Sequence, residues 1–416
     1  MSVHRSALFL ALLPLAAACG DPSGPGDGPG DPITQLPRGL TGAETELIAA
    51  SNAFGIDLLR EVLAREEEPN VVLSPLSASI ALGMTLNGAD GTTFEAMRET
   101  LGYPSLDRAE VNAAYRALIE MLVGLDPTVE FHVANSLWAD EGFPFEASFM
   151  ETVADAFAAP ARTLDLQGPA ALGEINGWVD EETNGYIPKL LDEIGPDIVM
   201  FLINAIYFEG TWTLEFDPGE TEAAPFRTAG GGEVEVQMMN MPEPEVSWAA
   251  GDGFMAADLP YGGEAFGMLV LLPDEDGSAR ELVAGLSAED LAGIEASLHE
   301  GELARLSLPR FRLSYGEKLN DALEAMGMGV AFDPDVADFS RMSPVGQLFI
   351  DEVRQKTFIE VDEAGTRAAA VTSVGVGVTS APPAFVVDRP FVFVLRERLS
   401  GTILFTGVVG DPTTEG

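Results

Sequence analysis

The sequence has a single cysteine among its 416 residues and only three histidines. The lone thiol, Cys19, excludes a disulfide within the chain and a zinc site built on cysteines. His4 lies near the N-terminus, His132 is predicted in a strand and His299 at a helix end, all far from a nucleophile motif. Neither G-x-S-x-G nor H-E-x-x-H occurs, and no carboxylate spacing singles out a glycosidase pair. We therefore predict no enzyme activity, no catalytic residue, no metal site and no cofactor.

Basic residues are also scarce, with 22 Lys and Arg against 67 Asp and Glu, which gives a formal net charge of −45. Nucleic acid and anionic membrane surfaces repel such a chain, so we expect no nucleic-acid partner and no electrostatic attraction to a membrane surface. Solubility, including solubility at high salt, is the simplest explanation of the acidity. Hydrophobic residues make up 46% of the chain, enough for a sizeable core without disulfides or metals.

The N-terminus has the pattern of a secretory signal. His4 and Arg5 precede an apolar run from Ala7 to Leu15, which is too short to span a bilayer. Cys19 follows the small residues 16–18 and resembles the lipid-bearing cysteine of a bacterial lipoprotein, so we predict a signal peptide and lipobox over residues 1–19. The alternative is ordinary cleavage after Ala18 with an incidental thiol.

These features predict secretion across the inner membrane and a lipid anchor. The protein is then expected in the periplasm, at the outer membrane or on the cell surface, and otherwise in the extracellular medium. Residues 20–40 are rich in Gly, Pro and Asp and predict a flexible tether, because such a composition buries no core.

The rest of the chain predicts an α+β fold. Apolar residues recur at helical spacing and also alternate at strand spacing in separate segments. Helices are predicted at Ala43–Arg65, after Ser74-Pro75, and at 92–101, 107–122, 170–182 and 317–326. Strands are predicted at 129–138, 199–208, 268–273 and 306–311, with 199–208 apolar enough to be a central strand buried on both faces.

The stretch from Lys356 to Ser380 holds the most information about function. Residues 357–362 predict a strand, and Gly365 separates this strand from the segment that begins at Thr366. From Thr366 to Val378 every second residue is small or β-branched, which is typical of a strand packed on a core. The pattern alone is also compatible with an ordinary strand after a glycine turn.

Three motifs resemble the serpin family. They are V-D-E-A-G-T-R-A-A-A from Val361, N-A-I-Y-F-E-G-T-W from Asn204, and N-V-V-L-S-P-L-S-A-S-I-A-L-G-M from Asn70. The resemblance implies a monomeric serpin fold over residues 41–412, with mixed β-sheets, a helical cluster and an exposed reactive-centre loop at 363–384. It also implies a suicide inhibitor of serine proteases, in which the cut loop inserts into the central sheet.

Two counts locate the bond that the protease would attack. The seventeenth residue counted from Glu363 is Thr379. Counting back from Pro382-Pro383 also leads to the bond between Thr379 and Ser380. The small side chain of Thr379 favours an elastase-like or subtilisin-like protease, held in a covalent 1:1 complex. The hinge residues implied by the motif are Glu363, Gly365, Thr366, Ala368, Ala369 and Ala370. Their small size favours inhibition over the alternative of a non-inhibitory serpin-fold protein, which would be a protease substrate, chaperone or carrier.

The resemblance also implies control points away from the loop. Ser74, Ser77, Asn204 and Gln355 correspond to polar groups beneath the central sheet, and Arg310 and Trp212 correspond to residues that hold the hinge. Ordinary roles remain open: helix caps and satisfied core polar groups, a surface Arg310–Glu363 ion pair, and a core tryptophan. Some serpins bind heparin near residues 92–122, but Arg98, Arg108 and Arg116 lie there among acidic residues, so we expect no heparin site.

Overall fold

The computed structural model describes residues 32–345, 347–365 and 382–414. The helices are α1 (Gly42–Leu63), α2 (Pro75–Leu86), α3 (Gly91–Thr100), α4 (Arg108–Leu122), α5 (Ala147–Phe157), α6 (Ala171–Glu182), α7 (Ala279–Gly285), α8 (Ala288–Ser297) and α9 (Asn320–Leu323). In the described ranges, none of the helices is long and apolar enough to cross a membrane.

The strands divide into four sheets. The first eight are β1 (Val71–Leu73), β2 (Val129–Asp140), β3 (Ala161–Leu164), β4 (Met200–Gly210), β5 (Glu222–Arg227), β6 (Glu233–Pro242), β7 (Glu245–Ala250) and β8 (Phe254–Tyr261). The others are β9 (Phe266–Pro273), β10 (His299–Glu302), β11 (Arg305–Pro309), β12 (Phe311–Lys318), β13 (Arg354–Val361), β14 (Ala384–Val386), β15 (Phe391–Glu397) and β16 (Ile403–Val409).

A seven-stranded sheet, in the order β1-β16-β15-β9-β8-β7-β10, carries much of the core. Every residue of β9, β15 and β16 is buried, so these strands are covered on both faces. A four-stranded sheet has the order β14-β11-β6-β5, and it contains β14, the first described strand after Gly365. The predicted α+β class is confirmed, and so are the predicted strands over 129–138 and 268–273.

Local signals explain where α1 and α2 begin. Thr41 and Glu44 form a reciprocal capping box, in which each side chain accepts from the other residue's backbone N–H. Ser74 caps α2, and Pro75 stands in its first turn, where a missing N–H costs nothing. Ten of the twelve residues of α2 are buried, because the helix packs against both β4 and β16. The predicted helices at 43–65 and after Ser74-Pro75 are confirmed.

The two remaining sheets meet at a seam. One has the order β3-β2-β4 and the other pairs β12 with β13. Between the described residues, no hydrogen-bonded ladder joins β4 to β13. The prediction of a fully buried central strand over 199–208 is therefore wrong for this part of the chain: β4 pairs only with β2 there, and several of its residues are partly exposed.

Three sequence-based boundaries need correction. The strand predicted at 306–311 is two strands, because the chain leaves β11 at Pro309 and enters another sheet at Phe311. The helix predicted from 317 begins at Asn320, since Glu317 and Lys318 still pair with β13. His299 starts β10, where it pairs with Trp248, and does not belong to a helix.

The predicted tether is partly folded onto the body. Ile33 donates its backbone N–H to the Gly263 carbonyl at 2.7 Å, and Ile33, Leu36 and Leu40 pack against the core. Gly and Pro do not prevent docking here, because these three apolar side chains supply the contact. The folded body therefore begins before residue 41, and we name residues 33–40 the strap.

Replacing Arg38 in the strap by alanine is expected to lower the melting temperature at pH 7 by roughly 1–3 °C. Its guanidinium hydrogen-bonds the buried Glu44 carboxylate, the largest of the effects that lower the pKa of Glu44 to about 2. A depressed carboxyl pKa stabilises the fold above the ordinary value near 4.5 and loses that contribution as the pH falls toward 2.

Thermal melts of the parent and the Arg38 variant at several pH values test this coupling. The difference between them should shrink as the pH falls below about 4.5. Arg65→Ala is the control, because its pair with Glu61 is a solvent-accessible contact at the C-terminal end of α1. A constant difference across this pH range would show that Arg38 acts through packing alone.

Candidate functional site

The chain reverses direction directly after β13. The Gly365 N–H donates to the Asp362 carbonyl at 3.1 Å, and the Ala364 N–H donates to the Asp362 side chain at 2.9 Å. Asp362 and Gly365 also form an isolated antiparallel bridge, and Gly365 has φ +84°. A turn that ends in a left-handed glycine is typical of a hairpin reversal. Residues 362–365 therefore form a turn directly after β13, and we name this turn the hinge.

The hinge lies against the end of β4. A Cβ atom built on Gly365 would stand 2.3 Å from the Trp212 nitrogen and 2.8 Å from the Gly210 oxygen. The Trp212 N–H donates to the Ala364 carbonyl at 2.9 Å, and the Phe216 N–H donates to the Glu363 carbonyl at 3.0 Å. Only glycine fits this position, because both its φ and its neighbours exclude a side chain.

Trp212 supports the hinge from beneath. Its indole N–H donates to the Asp362 carbonyl at 3.0 Å, and its ring stacks on Tyr261 with centroids 4.2 Å apart. The side chain is buried, so it is both a core residue and a hinge contact. Trp212 thus lies directly at the position that the sequence motif implied.

Arg310 and Glu363 form an ion pair at the hinge. The Arg310 Nε donates to Glu363 Oε1 at 2.8 Å, and the Thr221 hydroxyl donates to the same oxygen. Burial of Glu363 raises the pKa of its carboxyl, but the hydrogen bonds from Arg310 and Thr221 outweigh burial, and the pKa lies below its usual value. Arg310 occupies the break between β11 and β12, and this position directs its side chain to the hinge.

Gln355 and Ser74 pair through a fork of two hydrogen bonds. The Ser74 N–H donates to Gln355 Oε1 at 2.9 Å, and Gln355 Nε2 donates to the Ser74 carbonyl at 2.8 Å. The Ser74 hydroxyl donates to the Leu404 carbonyl and accepts from the Ser77 N–H. A link that sequence reasoning missed is Thr357, whose hydroxyl donates to the Val72 carbonyl at 2.7 Å. These bonds fasten β13 to the start of α2 and to β1.

Asn204 has a different partner. Its Nδ2 donates to Asn135 Oδ1 at 2.8 Å across β2 and β4, while its own Oδ1 is buried and has no partner among the described residues. The structure therefore places Ser74, Ser77 and Gln355 together and Asn204 on the neighbouring sheet.

Replacing Gln355 by glutamate is expected to destabilise the protein by about 1–3 kcal/mol at neutral pH. A carboxylate cannot donate, so its oxygen would face the buried Ser74 carbonyl oxygen, which would keep only the helical hydrogen bond from the Ala78 N–H. Urea unfolding at pH 7 measures the loss. Protonation of the new carboxyl at low pH should restore part of the stability, and an unchanged midpoint at pH 7 would contradict the role of the fork.

Aromatic rings bridge the seam. The Tyr186 ring, just beyond α6, stacks on Tyr207 of β4 at 5.6 Å and on Phe358 of β13 at 4.6 Å. The Arg312 guanidinium of β12 lies 5.2 Å from the Phe358 ring. Side chains from β4 and β13 line a common cleft below Tyr186. No sequence pattern indicated this stack, because its members come from four separate segments of the chain.

Several predicted residues lie outside the described ranges: Cys19, Thr366, Ala368, Ala369, Ala370, Thr379 and Ser380. Among the residues that are described, no group of three or more His, Cys, Asp or Glu side chains is arranged to hold a metal ion.

The family model described as "Serpin (serine protease inhibitor)" matches residues 49–412. The chain belongs to the serpin family. An uncharacterized serpin-like protein of Thermococcus kodakarensis is 35% identical over 92% of this chain and 89% of its own length. Iripin-8 of Ixodes ricinus is 32% identical over 88% of this chain and 93% of its own length.

Solved serpin structures have the same architecture. The thermophilic serpin tengpin in its native state is 31% identical, with a TM-score of 0.80 over 92% of this chain and 97% of tengpin. Human thyroxine-binding globulin, complexed with thyroxine, is 27% identical, with a TM-score of 0.81 over 89% of this chain and all of the globulin. Serpins are generally serine protease inhibitors and not enzymes, although the family includes non-inhibitory members.

Proposed function

We propose that this serpin traps serine proteases by suicide inhibition. The protease serine attacks the Thr379 carbonyl and forms an acyl-enzyme, and the new amine of Ser380 leaves with a proton. The freed segment from Thr366 to Val378 then enters the seam between β4 and β13 as a new strand. The attached protease is displaced with it, and distortion of its active site prevents water from completing hydrolysis.

The hinge turn is the observation that carries this proposal. Asp362 and Gly365 reverse the chain at the end of β13 and bring it against the backbone of Gly210 at the end of β4. A strand that continued along this turn would run antiparallel to β13 and next to β4. In the described part, no hydrogen-bonded ladder joins the edge of β4 to the edge of β13. An unpaired edge offers backbone donors and acceptors to an added strand.

The composition of the segment supports the same conclusion. Thr366, Ala368 and Ala370 are small at the positions that would face the core, so the first part of the strand enters without displacing packed side chains. Val374, Val376 and Val378 would then bury apolar area, which contributes about 1.5–3 kcal/mol each. A bulky, charged or proline residue at one of the first positions would favour a non-inhibitory serpin.

A protease panel tests the proposal. The intact protein is incubated with elastase-like, subtilisin-like and trypsin-like enzymes, and denaturing gels are read for a stable 1:1 adduct. We expect adducts with the first two classes, because the small Thr379 fits a shallow apolar pocket, and little effect on trypsin. The released peptide should begin at Ser380 by mass spectrometry. Cleavage at this bond with no adduct from any enzyme would identify a substrate instead of an inhibitor.

Exchange of Cys19 for alanine is expected to abolish membrane association. If Cys19 bears the lipid, as the preceding small residues suggest, the variant should move from the detergent phase to the soluble fraction. Phase partitioning of parent and variant measures this. Unchanged partitioning would favour ordinary signal cleavage and an extracellular protein over a lipid-anchored one.

A further inference from the structure

The position of Tyr186 supports an inference that rests on the proposed function. We propose that Tyr186 is a latch across the seam: its release sets how fast a strand enters between β4 and β13. Because insertion competes with hydrolysis of the acyl-enzyme, the latch also sets the fraction of attacked protease that is trapped. Tyr186 is thus a positioning residue that acts without contacting the protease.

The ring lies on the outer face of the two sheets. Ile203 and Ala205 of β4 are buried there together with Trp178 of α6. Tyr207 follows at the next position with the same facing, because side chains two apart along a strand share a face. Phe358 of β13 packs against the same group of residues. The segment after α6 therefore covers both sides of the seam from one direction.

Two further contacts extend this bridge, one within the second sheet and one between that sheet and the segment after α6. The Arg312 guanidinium lies over Phe358, so the stack runs from β4 through Tyr186 to β13 and on to β12. The Lys356 ammonium donates to the Lys189 carbonyl at 3.1 Å. In the described part of the seam, no hydrogen-bonded ladder joins β4 to β13, and these side-chain contacts link the two sheets instead.

Insertion has to disturb the stack. Neighbouring strands lie about 4.8 Å apart, so a strand between β4 and β13 sets these two edges two such spacings apart. Every second side chain of the new strand would also project into the face that Tyr186 covers. The ring must leave Tyr207, Phe358 or both, so at least one of the two stacking contacts is lost before the new strand is complete.

The test measures strand uptake without a protease. A fluorescent synthetic peptide with the sequence of residues 366–378 is added to the intact protein, and its binding is followed by polarisation and by native gels. Tyr186→Ala and Tyr186→Leu should take up the peptide about tenfold faster than the parent, because the stacking contacts are absent. Tyr186→Phe should match the parent, because it keeps the ring. The stoichiometry of inhibition should move closer to one in the first two variants.

Phe143→Ala is the matched control, because it removes a partly buried ring that packs on Phe145 away from the seam. Equal acceleration in this control would show general loosening and overturn the latch. Tyr186→Leu keeps apolar volume and decides the question if the alanine variant does not fold. Parental uptake rates in Tyr186→Leu, with normal adduct formation, overturn the latch and leave the proposed function intact. A parent that takes up no peptide and forms no adduct overturns both.

Discussion

Replacing Thr366 by arginine is expected to convert the protein from an inhibitor into a substrate. Continuing the register that begins with Asp362 and Gly365 sets residue 366 opposite Val361. Val361 is only 2% exposed, so an arginine at 366 would bring an unpaired charge into the core. The penalty of about 3–5 kcal/mol should stall insertion at its first residue and let hydrolysis of the acyl-enzyme win.

The measurement is the stoichiometry of inhibition against a protease that the parent traps. We expect a rise of at least about tenfold for Thr366→Arg, with the variant cut at Thr379 and active protease released. Arg367→Ala is the control, because the same register places residue 367 opposite the exposed Glu360, on the solvent side. This variant should remain an inhibitor. Unchanged stoichiometry for Thr366→Arg would mean that the strand does not insert with this facing.

Substitution of alanine for Gly365 is expected to destabilise the native protein and to impair trapping. The residue would have to adopt φ +84°, which costs about 1–3 kcal/mol for a side chain other than glycine. Its Cβ would also overlap the Trp212 nitrogen at 2.3 Å, a backbone atom that cannot swing aside. The hinge must then move away from Trp212, and the hydrogen bonds of Asp362 and Ala364 to that residue are weakened.

The Gly401→Ala variant separates the cost of the positive φ from the cost of the overlap with Trp212. Gly401 has φ +75°, similar to Gly365, but a Cβ there meets nothing within 4 Å. Urea unfolding of both variants should show a larger loss for Gly365→Ala, and only this variant should show a raised stoichiometry of inhibition. Equal losses would mean that the close approach to β4 adds nothing beyond backbone strain.

Short motifs singled out the residues that meet at the described hinge, because these residues occupy a few compact stretches of sequence. Gly365 and Glu363 belong to one motif and Trp212 to another, and the structure brings Gly365 against Trp212 and Glu363 against Arg310. The fork between Gln355 and Ser74 likewise joins two segments that the sequence had singled out. The residues around these points carry recognisable chemistry: a glycine, a charge pair and a helix cap.

The seam was harder to predict, since a local pattern shows that a face is covered but not what covers it. The apolar run 199–208 predicted a central strand, but β4 pairs only with β2 in the described part of the chain. Its outer face is covered by α6 and Tyr186 and not by a neighbouring sheet. The strap was missed for a related reason. Its composition is typical of a linker, and the three apolar residues that dock it find their partners far along the chain.

The strap also determines from which side of the molecule an anchor would hold it. Ile33 is fixed to Gly263, whose neighbour Gly262 is hydrogen-bonded to Thr211, one residue before the tryptophan beneath the hinge. Between Cys19 and Ile33 there are 13 residues, which span at most roughly 45 Å when fully extended. A lipid on Cys19 would therefore keep the hinge end within that reach of the bilayer, and proteases working close to the membrane surface would be the first that its loop encounters.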